Sequence, residues 1–511
     1  MTVTKISTLG LWATVLLLLG TCAFLLFFQL DEVPFFGDET LYVRVAARAL
    51  HTGQWAPLLG GRTAFVWKPP IVVWGNGAGM ALLGENELGA RLGVGLAALL
   101  LCALLAWHGL RIGNRWTMVL APLTLVSAPG LLLEHGLRSA NPEAWLLLAV
   151  TASFVFFLET GAKSARVRLG GLALLSCFSS WTKGLVGPLV VGGALFLVEL
   201  AVPRETEAEP ATLRRRLARA IVTAGAATVP GLLFYLAWLL FSLGSVGDVL
   251  YFLGIDLARR SGAGLDPLHL QPPSIYIRAA IENFGYFALL APLALAVRLL
   301  RSRRDPGVAA THDRRIHSTL LLWIVVTFVL FAIPSSRLVW YVFPAYPALA
   351  LATALLLDQV RSLLVRWRGG LAAFLLLLAL LGAARIEALA RAWPEREPHS
   401  LGALQRFLDS EPDARAFVER ALGRGAEDGH PVAQWHRHYL RRFPPLDGRA
   451  LPAEAPRCSF VVTAEPAAWR PLLGDRLAGV TGVRGELPGQ LKLFVLDLCG
   501  GRFSGGAQSS P

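Results

Sequence analysis

The sequence predicts an α-helical polytopic membrane protein with a small C-terminal α/β domain outside the membrane, and three observations predict it. Of the 48 basic and 35 acidic side chains in 511 residues, 30 lie in the last 121 residues, from Arg391 to Pro511, and the 390 before them hold the other 53. Charged residues make up 16% of the chain, against about 25% in a soluble domain. Apolar stretches of spanning length recur at 9–30, 88–110, 117–133, 142–159, 166–182, 184–202, 217–241, 277–300, 316–333, 337–357 and 367–389, about eleven in all. With the N-terminus in the cytoplasm, the inner loops hold twenty basic residues and the outer loops nine, the bias expected of a multi-pass chain.

The first stretch has no small-residue cleavage site and runs on into Gln29-Leu30-Asp31-Glu32, so it is expected to remain as a span. The first outer loop, 31–87, holds two further helices. Residues 38–50, DETLYVRVAARAL, set Leu41, Val45 and Ala49 on one side and Arg44 and Arg48 on another, the pattern of a helix lying along the interface. Pro69 and Pro70 then open an apolar run of about 14 residues. It is short for a span, and counting it as one would invert every later loop, so it is an interfacial or re-entrant helix. A second long outer loop follows the seventh stretch.

An odd number of spans puts the tail outside, which in a bacterium makes 1–390 an inner-membrane module and 391–511 a periplasmic domain. A helical stretch at 400–422, strands at SFVVTA and LKLFVLDL, and a disordered GGRFSGGAQSSP end are expected there. Cys22, Cys102 and Cys177 lie in apolar stretches as packing residues, while Cys458 and Cys499 lie in the compartment where a disulfide can form. His436 and His438 flank an arginine without acidic or Cys ligands at metal-site spacing. The net charge of +13 is +2 in the tail and +11 in the module, in short clusters between apolar runs. That distribution is topology and not a nucleic-acid footprint.

Long loops on the outer side locate the chemistry there. Ionisable groups at the boundary are costly and mark function: Asp38, Glu39, Arg138, Glu143, Lys183, Arg260, His269 and Arg337. Lys68 and Lys183 stand out in a chain with 43 Arg and only five Lys. Carboxylates facing cations at that depth suit transfer of a sugar from a polyprenyl phosphate. The departing phosphate needs Arg or Lys, and the acceptor hydroxyl needs a base. No nucleotide is available outside the cytoplasm, so a lipid-linked donor is the expected partner, with no cofactor.

The segments FFGDETLYVRVAARALHTGQW, WKPPIVVW and LLGENELGARLGVGL, then HGLRSANPEAWLLLA, WTKGLVGPL and SSRLVWYVFPAYPALAL, occur in one order over about residues 1–360. Together they resemble the motifs of GT-C glycosyltransferases of the protein O-mannosyltransferase and lipid A aminoarabinose transferase kind. The resemblance implies that Asp38 activates or orients the acceptor, with Glu39 and Tyr42 beside it. Lys68 would bind the donor phosphate with Lys183 and Arg260, and Arg337 and Tyr341 would stand in the late motif. Arg138 and Glu143 would form a second charged pair, the family's aspartate falling at Glu143 or Asn141. Leu41 and Trp67 replace an Arg and a Glu of the aminoarabinose transferases. Loss of that Glu removes a partner of His269, so no metal is expected.

Local readings stand beside these. Asp38 with Glu39 is also an N-cap with an acidic first turn, Lys68 a snorkelling lysine, and Arg138 with Glu143 a structural ion pair. A lipid-glycan flippase would show repeats and midplane charges; a non-catalytic scaffold with a periplasmic binding domain would leave the charged outer loops without a role.

Overall fold

The computed structural model describes residues 8–33, 35, 37–161, 164–203, 212–260, 269–302 and 308–393, and in the tail 404, 407–408, 413–419, 443–446, 450–452, 455–456, 458–483 and 493–499, excluding the side chains of 8, 257–260, 308–310, 419 and 481–483. It divides into two compact units: Met1–Phe28, Val45–Glu85 and Gly89–Trp393 form the first, and Gln29–Arg44, Asn86–Leu88 and Pro394–Pro511 the second.

Each of the eleven apolar stretches is helical over most of its length. α1 (Thr8–Phe27) is followed by α2 (Glu39–Thr52) and α3 (Ile71–Leu83), the two helices expected in the first loop, and Pro70 caps α3. Then come α4 (Glu87–Ile112), α5 (Arg115–Val126), α6 (Glu143–Glu159), α7 (Ala165–Lys183), α8 (Val186–Ala201) and α9 (Leu213–Leu243). The second long loop forms a helix that sequence reading did not anticipate, α10 (Val246–Arg260). Its Val249 packs with Leu239 of α9 and with Val66. α11 (Ile275–Phe284) and α12 (Phe287–Ser302) are bent by 96° about Gly285. α13 (Val308–Ala332), α14 (Tyr346–Leu364) and α15 (Gly370–Ala392) complete the module.

Among the described residues six helices are long and apolar enough to cross a membrane, or seven if the bent pair is one span. The remaining apolar stretches are shorter helices or carry charges. α14 lies at the centre, buried on almost every face. In α1 only 17% of the apolar window is buried, and in α15 only 6%, so these two face the surrounding medium.

Two glycine pairs set how closely α3 approaches α4. A Cβ on Gly79 would stand 2.1 Å from the Gly89 oxygen, and one on Gly93 would stand 2.7 Å from the Gly75 oxygen. This is the small-xxx-small spacing of helices in lipid, on both partners.

In the second unit the tail forms a five-stranded sheet, order β2-β1-β3-β5-β4: β1 (Ala414–Glu419), β2 (Pro445–Leu446), β3 (Cys458–Thr463), β4 (Gly479–Val483) and β5 (Leu493–Asp497). β1 runs parallel to β2 and β3, and β5 antiparallel to β3 and β4. α16 (Pro466–Leu473) covers it with Trp469 and Leu473 against Phe417, Val461 and Leu496. Cys458 and Cys499 are joined as a disulfide. The helical expectation for 400–422 is corrected at its end: Ala414–Glu419 is a strand, because its two-residue period buries Ala414, Ala416 and Val418 on one face and Phe417 on the other. His436, His438 and the GGRFSGGAQSSP end lie outside the described residues.

Candidate active site

Three short irregular segments at one end of the helix bundle carry the charged side chains. A π-helical turn, Gly130–Glu134, precedes His135. The chain then folds back so tightly that Leu137 N–H donates to the Leu131 carbonyl at 2.8 Å. A Cβ on Gly136 would lie 1.9 Å from that oxygen, which is why glycine is needed. The second segment is the end of α7, which stops at Lys183 where Gly184 takes a left-handed φ of 63°. The third is a 3-10 turn, Val339–Ala345, leading into α14. Pro344 lacks the N–H that an α-helix would use there, and the Pro344 carbonyl instead accepts from Trp323 Nε1 at 2.7 Å.

These segments converge on Glu143, whose side chain is 1% exposed at the start of α6. Lys183 Nζ donates to Glu143 Oε1 at 2.5 Å, and His135 Nδ1 lies 3.4 Å from Glu143 Oε2. Lys183 and His135 each also meet an aromatic ring of the 3-10 turn. His135 stacks on Trp340 with centroids 4.2 Å apart and planes 3° from parallel, and Lys183 Nζ sits 5.6 Å from the Tyr341 ring centroid. The carboxylate is thus held between an ammonium and an imidazole, each backed by a ring.

Arg138 is not the partner of Glu143, which corrects the expected pair. Its Nη1 and Nη2 donate at 2.6 Å each to the Leu25 and Phe28 carbonyls, and its guanidinium lies 4.5 Å from the Trp393 ring. Those carbonyls belong to the C-terminal end of α1, where helix oxygens lack internal partners and a cation is favoured. Of the two acidic-motif positions, Glu143 enters the cationic cluster. Asn141 donates to Ser139 Oγ at 3.0 Å instead.

Arg337 is likewise spent on backbone. Its guanidinium donates to the Ala332 carbonyl (2.9 Å from Nη2) and to the Gln271 carbonyl (2.8 Å), and its own N–H donates to the His269 carbonyl at 2.8 Å. It staples the end of the second long loop to the end of α13. Ser336 Oγ lies 3.5 Å from His269 Nδ1. Lys68 is half-buried just before α3. Next to it Trp67 meets Phe252 of α10 edge-on at 5.4 Å. Trp74 of α3, Trp181 of α7 and Trp238 of α9 pack together, with centroids 5.1 to 6.2 Å apart, so one aromatic cluster joins the Lys68 helix to the helix that ends at Lys183. The Arg260 side chain lies outside the described residues.

In the second unit, Asp38 is exposed at the start of α2, and Glu39 is buried. The Asp38 carbonyl accepts the N–H groups of Leu41 and Tyr42, so Asp38 is the N-cap as well. Its Oδ2 accepts from the buried Tyr42 hydroxyl at 3.2 Å. This hydrogen bond orients one carboxylate oxygen.

His135 and Trp340 were missed by sequence reading. A histidine that ends an apolar run looks like a boundary residue, and only the fold-back at Gly136 turns it toward α6.

No family model matches the chain. It is 26% identical over 367 residues to undecaprenyl phosphate-α-4-amino-4-deoxy-L-arabinose arabinosyl transferase 1 of Pseudomonas fluorescens Pf0-1, covering 70% of this chain and 58% of that protein. To the enzyme of the same kind from Pseudomonas paraeruginosa it is 28% identical over 379 residues, covering 71% and 63%. The match thus spans about three fifths of those relatives' length. ArnT of Cupriavidus metallidurans bound to undecaprenyl phosphate superposes with a TM-score of 0.60 at 17% identity, over 98% of this chain and 100% of that one. The apo oligosaccharyltransferase of Archaeoglobus fulgidus gives 0.54 at 13%, over 93% and 73%. The chain is ArnT-like in sequence, and its fold is that of these GT-C membrane proteins.

Proposed function

We propose that this protein is an inverting membrane glycosyltransferase that moves one sugar from a polyprenyl phosphate to an acceptor hydroxyl on the outer face of the bacterial inner membrane. The observation that carries the reading is the buried Lys183–Glu143–His135 cluster in a chain whose fold matches a protein crystallised with undecaprenyl phosphate. Topology supports the outer face: with the N-terminus in the cytoplasm, α7 ends and α6 begins on that side, and the tail follows on the same side.

The acceptor oxygen attacks the anomeric carbon in line as the bond from that carbon to the phosphate oxygen breaks. The acceptor proton passes to Asp38, whose other oxygen is held by Tyr42. Glu39 adds negative charge beside it. Lys68, Arg260 and Lys183 take the charge left on the departing phosphate. Arg337 fixes the loop that carries Arg260, and Tyr341 holds Lys183 in place. Arg138 keeps the end of α1 fixed, the point from which the Asp38 loop departs. The relatives transfer 4-amino-4-deoxy-L-arabinose by name; for this chain the acceptor class is a hydroxyl of lipid A, another glycolipid, a glycan or a protein.

Release of polyprenyl phosphate from a panel of labelled polyprenyl-phosphate sugars, in membranes carrying the native protein or Asp38→Asn, tests this. Turnover in the native membranes should fall by about 10²- to 10⁴-fold in the variant. Equal turnover would move the base elsewhere, and no turnover with any donor would remove the assignment.

A further inference from the structure

We infer that His135 is a positioning residue that sets how much of the Lys183 charge is offered to the donor phosphate, acting through the carboxylate they share. The inference rests on the proposed transfer reaction, but its geometry stands apart from it. Glu143 has two oxygens, and each faces a different nitrogen base: Oε1 takes Lys183 Nζ at 2.5 Å and Oε2 faces His135 Nδ1 at 3.4 Å. With Glu143 1% exposed, water does not dilute the competition, and any charge change at the imidazole is felt at the ammonium.

The histidine has little room to move. It is stacked flat on Trp340, the residue next to Tyr341, whose ring backs Lys183. One 3-10 turn therefore fixes both side chains against one carboxylate. Among the described residues, the charged and titratable groups brought to His135 include Glu143 of α6, Lys183 of α7 through that carboxylate, Tyr341 of the turn, and Glu134 on its own segment, which in turn feels Glu282 of α11.

Imidazole is the side chain that changes charge between pH 5 and 8. With His135 neutral, Lys183 and Glu143 cancel. With His135 protonated, the cluster carries a net positive charge, and Glu143 is divided between two cations, leaving Lys183 freer to meet an anion. Binding of a lipid phosphodiester should tighten as the pH falls, although the phosphodiester itself keeps one negative charge throughout.

The test is binding of undecaprenyl methyl phosphate, which cannot transfer a sugar, to the purified full chain from pH 5.5 to 8.5. The native protein should bind about five- to tenfold more tightly at the acid end. His135→Gln should bind with the weak affinity at every pH, and His51→Gln, at an exposed histidine paired with Glu85, should keep the native profile. If His135→Gln does not fold, His135→Phe retains a ring on Trp340 and should give the same flat profile. A loss of affinity with the pH profile intact would show a merely structural His135 and overturn the inference. So would a profile flattened by His51→Gln alone. Absence of binding by the native protein at any pH would instead overturn the transfer reading, and this inference with it.

Discussion

Glu143 shows what the charged cluster demands of single residues. Replacing it by Gln leaves the Lys183 ammonium buried with only an aromatic ring and a neutral amide, and breaking a buried pair from one side costs about 3–5 kcal/mol. Thermal unfolding in detergent should therefore show a large loss for Glu143→Gln and a substantial recovery for Glu143→Gln with Lys183→Met, because the orphaned charge has gone. A double variant no more stable than the single would mean that the pair contributes through packing alone. Glu143 and Lys183 were each legible as charges at a span end. That they meet was not, because they lie forty positions apart and any of several boundary cations would have served. Arg138 was read as the partner of Glu143 for the same reason. Its true acceptors are backbone carbonyls, and no side-chain pattern announces those.

At the scale of elements, apolar length and period located nearly every helix, including α2 and α3 within the first loop. Hydropathy reports where a segment is comfortable, so it marks helices well and their bends poorly: the 96° turn between α11 and α12 and the 3-10 turn before α14 depend on local backbone chemistry. The approach of α3 to α4 shows a further kind of information. Gly75, Gly79, Gly89 and Gly93 read as punctuation in the sequence, yet Gly79, Gly89 and Gly93 each admit a carbonyl where a methyl would collide. Gly79→Ala should separate the helices, lower the melting transition by the equivalent of about 1–3 kcal/mol, and reduce transfer by shifting Lys68, which precedes α3. A control at Gly254, where a Cβ meets nothing within 4 Å, should leave both measurements unchanged. Similar effects at the two positions would refute the close-approach account.

For the whole molecule, the charge asymmetry predicts the orientation, and the tail forms a five-stranded sheet of its own. Fusing a reporter active only in the periplasm after residue 511 should produce activity, because the eleven crossings read from the sequence would bring the tail outside. A silent reporter, with an active one when fused after Thr212, would require an even count and reverse every loop. Sheet topology in the tail was less legible than the helices of the module, since strands of two to six residues carry little periodicity, and β1 was hidden inside an apparent helix. One contact also sets an order in time. Arg138 holds the last carbonyls of α1 and lies over Trp393, just beyond α15, and so joins two helices that leave the ribosome far apart in time. α1 must wait in the lipid until α15 has been made, and a nascent chain cut short before Trp393 would have both arms of the bundle without the clasp that closes them.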